Sequence, residues 1–117
     1  MKETQALLDN IIKGIQEKKG ENILSIDLSS LEGVAYQHFV ICEANSTTQV
    51  TAVADSVREY VQKELSIKPF AYDGYQNAQW IVLDYGIILV HIFLKETRTY
   101  YNLESLWSDA KFKEYHD

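Results

Sequence analysis

HFVICEANSTTQVTAVADSVREYVQKEL, residues 38–65, decides the class of this fold. Its first seven residues, HFVICEA, are rich in β-branched and aromatic side chains and read as a buried strand bounded by polar residues. The period changes after Asn45. Val50, Val53, Ala54, Val57, Tyr60, Val61 and Leu65 recur at helical spacing, which places them on one apolar stripe. Ser46 or Thr47 supplies the oxygen that caps the first turn. Pro69 bars continuation and returns the chain to an extended form. A buried strand feeding an amphipathic helix is the first half of a right-handed crossover between parallel neighbours. The spacing therefore predicts an α/β domain.

Toward the N-terminus, Leu7, Leu8, Ile11, Ile12 and Ile15 predict a helix over 3–19, stopped by Lys18, Lys19 and Gly20. NILSIDL (22–28) reads as a strand and SSLEGVAYQ (29–37) as a turn-rich loop. Toward the C-terminus, FAYDGY (70–75) predicts a strand ending at Asp73-Gly74. WIVLD (80–84) and IILVHIF (87–93) are two more strands joined through Tyr85 and Gly86. TRTYYNLESLWSDAKF (97–112) starts irregular and becomes a short helix, with Asn102 as its cap and Leu103, Leu106 and Trp107 turned inward. The predicted order is αββαβββα: one domain over 1–117, a mixed five-stranded sheet flanked by helices, its last three strands antiparallel.

Composition narrows the function classes. A hydrophobic content of 46% with one Pro and five Gly fits a packed globule without long linkers. The longest apolar run, GIILVHIFL (86–94), is nine residues, too short to span a membrane. The start, MKETQALLDN, lacks the apolar core of a secretory signal, and a single Cys fits a reducing compartment. A cytoplasmic location and no membrane partner are expected. The net charge is −6, and the basic residues are scattered apart from Lys18-Lys19. Direct nucleic-acid binding, which needs clustered cations against phosphate, is disfavoured. A basic protein surface is the favoured partner.

Four chemical readings are weighed on the residues. With Tyr85-Gly86 as a two-residue turn, Asp84 faces Ile87, Val82 faces Leu89 and Trp80 faces His91. Trp80, Val82, Asp84, Ile87, Leu89 and His91 then share one side of the hairpin. This register puts His91 about 13 Å from Asp84 along the strands, beyond the reach of a general-base pair. Asp84 is left to hydrogen-bond its own turn, and His91 to pack on Trp80. Cys42 sits in a strand with no adjacent cation to activate it. His38, His91 and His116 have no metal-ligand spacing, and no Gly-rich phosphate loop precedes a helix. No catalytic residue, metal or cofactor is expected. Eight Tyr and two Trp, many in the last third of the chain, exceed what a small core holds and suit an interface equally well.

FVICEANS…QV…ADSV, then WIVLDYG…VHIF, then R…YYNLESLW·DA together resemble the ribosomal silencing factor family, also called the Iojap or RsfS family, over residues 3–110. The resemblance implies a non-enzymatic factor with a nucleotidyltransferase-like fold that lacks the active site. It implies binding to the large ribosomal subunit through its fourteenth ribosomal protein, on the face that meets the small subunit. Subunit joining is thereby blocked and translation repressed when nutrients are short. A large-subunit assembly role and a nucleotide-binding enzyme are the alternatives, and a homodimer through the same surface is compatible with the first. Trp80, Asp84, Tyr85, Gly86, His91 and Phe93 match the hairpin motif. Arg98, Tyr101, Leu103, Glu104, Leu106 and Trp107 match the following one, and Asp73-Gly74 matches a Glu-Gly. The implied protein-binding set is Asp73, Trp80, Asp84, Tyr85, His91, Arg98, Tyr101, Glu104 and Trp107. Aromatics form its anchor, and Asp73, Asp84 and Glu104 face positive charge. Gln37 and Ile87 stand where such proteins usually carry Asp.

Overall fold

A computed structural model of the chain describes residues 2–116. Helix α1 (Lys2–Glu17) turns Leu7, Leu8, Ile11, Ile12 and Ile15 inward, as their spacing requires. The chain then forms β1 (Glu21–Asp27), β2 (His38–Ala44) and α2 (Thr47–Leu65), followed by β3 (Ala71–Asp73), β4 (Trp80–Asp84) and β5 (Ile88–Leu94). It ends in α3 (Lys95–Tyr101), a 3₁₀ turn (Leu103–Trp107) and β6 (Lys111–Tyr115). Ser46 caps α2, its hydroxyl accepting the Gln49 N–H at 3.1 Å. The other end of α2 closes at Ser66, in the left-handed conformation, before Pro69.

The sheet order is β3-β4-β5-β2-β1-β6. Only β2 and β5 run parallel; the other pairs are antiparallel. The strand after α2 is therefore not the parallel neighbour of β2. The chain goes to the outer edge as β3, returns through β4, and sets β5 beside β2. The reason lies in hydrophobicity: Ile88, Val90 and Ile92 are fully buried on one side of β5 and Phe93 on the other. A strand apolar on both faces belongs in the centre of a sheet.

The five-stranded expectation is corrected to six. KFKEY (111–115) is extended against β1, pairing Ile23 with Tyr115 and Asp27 with Lys111. Its side chains are mostly exposed, so no local apolar signal marked it. What it answers is the open edge of β1, whose backbone groups need partners. Before it, residues 95–101 are helical rather than irregular. Asn102 (φ 47°) is the left-handed C-cap of α3, its N–H on Arg98 O at 2.8 Å, and its side chain caps nothing. Leu103 and Trp107 pack inward, but Leu106 is 71% exposed.

The two sheet faces are covered unequally. Helices α1 and α2 lie over one, and they approach closely at Gly14, where a Cβ would meet the Val57 Cα at 2.8 Å. The Ser56 hydroxyl donates to Gly14 O there at 2.7 Å. On the other face Leu24, Ile26, Leu28, Phe39, Ile41 and Phe93 form a second core. Its cover is irregular chain: Leu31, Val34 and Tyr36 from the 29–37 loop, and Leu103, Trp107 and Ala110 from the tail. On this face the β3–β4 side of the sheet keeps exposed or half-buried residues.

Candidate interaction surface

The β4–β5 hairpin builds that open side. Its register pairs Trp80 with Phe93, Val82 with His91 and Asp84 with Leu89, two positions away from the tight-turn expectation. A slip of two preserves the faces, so Trp80, Val82, Asp84, Leu89 and His91 do share one side, with Phe93 added. The turn lies one residue further on than Tyr85-Gly86: Tyr85 N–H bonds Ile88 O at 3.0 Å across Gly86 and Ile87, and Gly86 takes positive φ, at 87°. Asp84 Oδ1 accepts the Gly86 N–H at 2.8 Å, the turn bond expected of it.

The observed register halves the Asp84–His91 separation along the strands to about 7 Å. The pair is excluded instead by its engagements. Asp84 Oδ2 accepts from the Tyr36 hydroxyl at 2.9 Å. His91 Nδ1 accepts from the Trp80 indole N–H at 3.1 Å. The imidazole proton therefore sits on Nε2, which is buried without a partner among the described residues. Burial pushes the His91 pKa down to about 4, so the ring is neutral at pH 7. Rings enclose it: Phe39 edge-on at 4.9 Å, and Phe93, on which Trp80 stacks at 4.8 Å.

This environment gives a stability test with a defined sign. Between pH 6.5 and about 4 an unfolded chain protonates His91 while the folded chain does not. Stability is therefore full above pH 6.5 and falls as pH drops through that window, by about 3 kcal/mol over the roughly two and a half units. His91→Asn keeps an acceptor for Trp80 and removes the titration. Urea midpoints measured from pH 8 to 4 should lose this part of their slope in the variant; an unchanged slope would refute the assignment.

The open surface has an apolar centre and an acidic rim. Trp80 and Val82 of β4 and Leu89 of β5 are half-buried at its middle. Asp73 is exposed on β3 opposite Val82, and Asp84 lies at the far end of β4. Tyr101 leans over Trp80 with ring centroids 5.0 Å apart and is 54% exposed; Tyr100 beside it is 82% exposed. Val82 and Leu89 are absent from the residues the family motif pointed to. Strand alternation alone marks them, since they lie on the face of Trp80 and Asp84.

The expected binding residues thus separate into groups. Asp73, Trp80, Asp84 and Tyr101 meet on the open face. His91 lies behind it. Tyr85 is 4% exposed in the core under the helices, where burial raises its hydroxyl to about 12; it contributes no surface. Arg98, Glu104 and Trp107 belong to the neighbouring cover. Arg98 donates to Glu43 Oε1 at 3.1 Å, to Glu104 Oε2 at 3.0 Å and to Asn22 O at 2.6 Å. Glu104 therefore neutralises an internal cation. Trp107 packs edge-on against Phe39 at 5.6 Å. Gln37 and Ile87, the two replaced acids, are neighbours: Gln37 N–H bonds Ile87 O at 2.7 Å. Both replacements fall near the Asp84 end of the hairpin, where the Ile87 side chain packs against the core under the helices.

Cys42 is wholly buried, and burial raises its thiol to about 12 despite the nearby Arg98 charge. Among the described residues no group of three or more His, Cys, Asp or Glu is placed to hold a metal ion. No described helix is long and apolar enough to cross a membrane.

Comparison with known proteins agrees with this architecture. The family model "Ribosomal silencing factor during starvation" matches residues 1–117. A ribosomal silencing factor of Halalkalibacterium halodurans is 36% identical over 106 residues, covering 91% of this chain and 89% of the relative. One of Bacillus subtilis is 39% identical over 94 residues, covering 80% and 78%. A crystal structure of a Chromobacterium violaceum protein superposes with a TM-score of 0.83 at 30% identity, covering 89% of this chain and 85% of that one. The fold, the match along the whole chain and these relatives lead to one conclusion: the chain belongs to the ribosomal silencing factor family.

Proposed function

We propose that the open sheet face docks the chain on the large ribosomal subunit, at its fourteenth ribosomal protein, and so keeps the small subunit from joining. Translation is repressed in this way in the cytoplasm when nutrients are limiting, and no catalysis is involved. The observation that carries the reading is the uncovered face itself: an apolar centre of Trp80, Val82 and Leu89 rimmed by Asp73 and Asp84, on a chain of net charge −6. Such a face suits a partner with an apolar patch set among cations. Free chains pair weakly through the same centre, in competition with the subunit.

Sedimentation of purified subunits with the protein tests this. The chain should co-migrate with the large subunit, not the small, and the coupled-ribosome peak should shrink as protein is added. Free migration with an undiminished coupled peak would overturn the proposal. Added salt should weaken the association, because rim charges act chiefly through long-range attraction.

A further inference from the structure

A cleft of about 430 Å³ opens between the β3–β4 connection and α3, at the Asp73 end of the docking face. Trp80 and Tyr101 both line it, in contact with each other at a ring-centroid distance of 5.0 Å and with planes inclined at 47°. Asp73 is its single carboxylate, and Gln76, Asn77 and Gln79 add side-chain amides. No Lys or Arg lines it. Arg58 does not line the cleft but backs one wall, already engaged there: its guanidinium lies 4.1 Å over the ring of Tyr72 and donates to the hydroxyl of Tyr75 at 3.3 Å, both lining residues.

The connection is stiff. Gly74 adopts φ +97°, and a Cβ there would lie 2.0 Å from Trp80 O, so backbone touches backbone across the loop. Asp73 Oδ1 accepts the Gly74 N–H at 2.8 Å. Ala78 N–H bonds Gly74 O at 2.9 Å, and Leu94 N–H bonds Gln79 O at 2.8 Å. The walls are thus held in place before any ligand arrives, which lowers the ordering cost of binding.

Aromatic faces, one carboxylate and amide oxygens with no competing cation are the recognition chemistry of a guanidinium. Its plane stacks on a ring while its N–H groups reach a carboxylate and carbonyls. An ammonium is more strongly hydrated and stacks less well. We propose that this cleft receives one arginine side chain of the partner protein, anchoring and orienting it at the Asp73 end. The inference rests on the reading of the adjoining face as a partner surface, because Asp73 and Trp80 belong to both.

The test is an NMR titration of the full chain with N-acetyl-arginine methylamide, against the uncharged citrulline analogue. The arginine probe should shift the Trp80 indole and the Gly74 and Asn77 amides saturably. Citrulline should bind about tenfold more weakly, as should arginine to Asp73→Asn, which keeps the acceptor for Gly74 N–H. Asp73→Asn should also weaken large-subunit association. Equal binding of the two probes, or shifts confined to other residues, overturns the proposal. If large subunits bind wild type and Asp73→Asn alike, the cleft reading fails alone. If arginine binds as described but no subunit is captured, the cleft stands and the ribosomal reading falls.

Discussion

Arg98→Ala should be the most destabilising single truncation outside the apolar core, costing about 3–5 kcal/mol. The Arg98 side chain is 11% exposed and its partners Glu43 and Glu104 are 9% and 23% exposed. One guanidinium thus joins β2 to the 3₁₀ turn and, through Asn22 O, to β1. Removing it strands Glu43 in a buried site with only the Asn22 amide, 3.1 Å away, for company. An unpaired buried carboxylate costs far more than an exposed ion pair gains. For a domain of this size the thermal midpoint should fall by roughly 10–20 °C. Arg98→Lys should recover only part of the loss, since an ammonium cannot serve three acceptors in a fixed fork. Calorimetry across wild type, R98A and R98A/E43Q settles it: the double variant should be more stable than R98A. A loss below about 1 kcal/mol would reduce the network to an ordinary surface pair.

Val82→Glu should abolish subunit binding while leaving the domain folded. Val82 is half-buried at the centre of the open face, opposite His91 on β5 and Asp73 on β3. In the free protein a Glu there reaches water. In a docked complex it buries a charge at the position that tolerates one least, worth about a hundredfold or more in affinity. The thermal midpoint should move by only a few degrees. Unchanged co-sedimentation would show that the face is not the docking surface. Val82 is a cleaner probe than Asp84, whose two carboxylate oxygens already serve Gly86 N–H and the Tyr36 hydroxyl. Charge reversal at Asp84 therefore disturbs the turn and the surface together.

The legible parts of this chain were those set by local periodicity. The stripes of α1 and α2, the Ser46 cap and the buried β2 and β5 strands follow from spacing and side-chain shape. The faces of the hairpin were legible too, because alternation survives a register slip of two. The register itself was not: the turn closes by Tyr85 N–H to Ile88 O around Gly86-Ile87, and a single Gly suits either that loop or Tyr85-Gly86. Strand β6 was hidden because its side chains are mostly exposed and its reason to exist is the edge of β1, ninety positions earlier in the pairing of Leu24 with Glu114. The family motif likewise joined two kinds of residue that sequence cannot separate. Trp80 and Tyr101 face outward, whereas Tyr85 and Arg98 support the fold from within.

The order β3-β4-β5-β2-β1-β6 has a consequence for the chain as it is made. The central pair joins Ile41 to His91, and β1 waits for residues 111–115 to close its outer edge. The parallel pair at the sheet's middle cannot form until residues near 94 have emerged. Non-local pairing of this kind folds late and all at once. The proposed docking face, built from β3, β4, β5 and Tyr101, is thus unfinished in the nascent chain until β5 and α3 have emerged and paired.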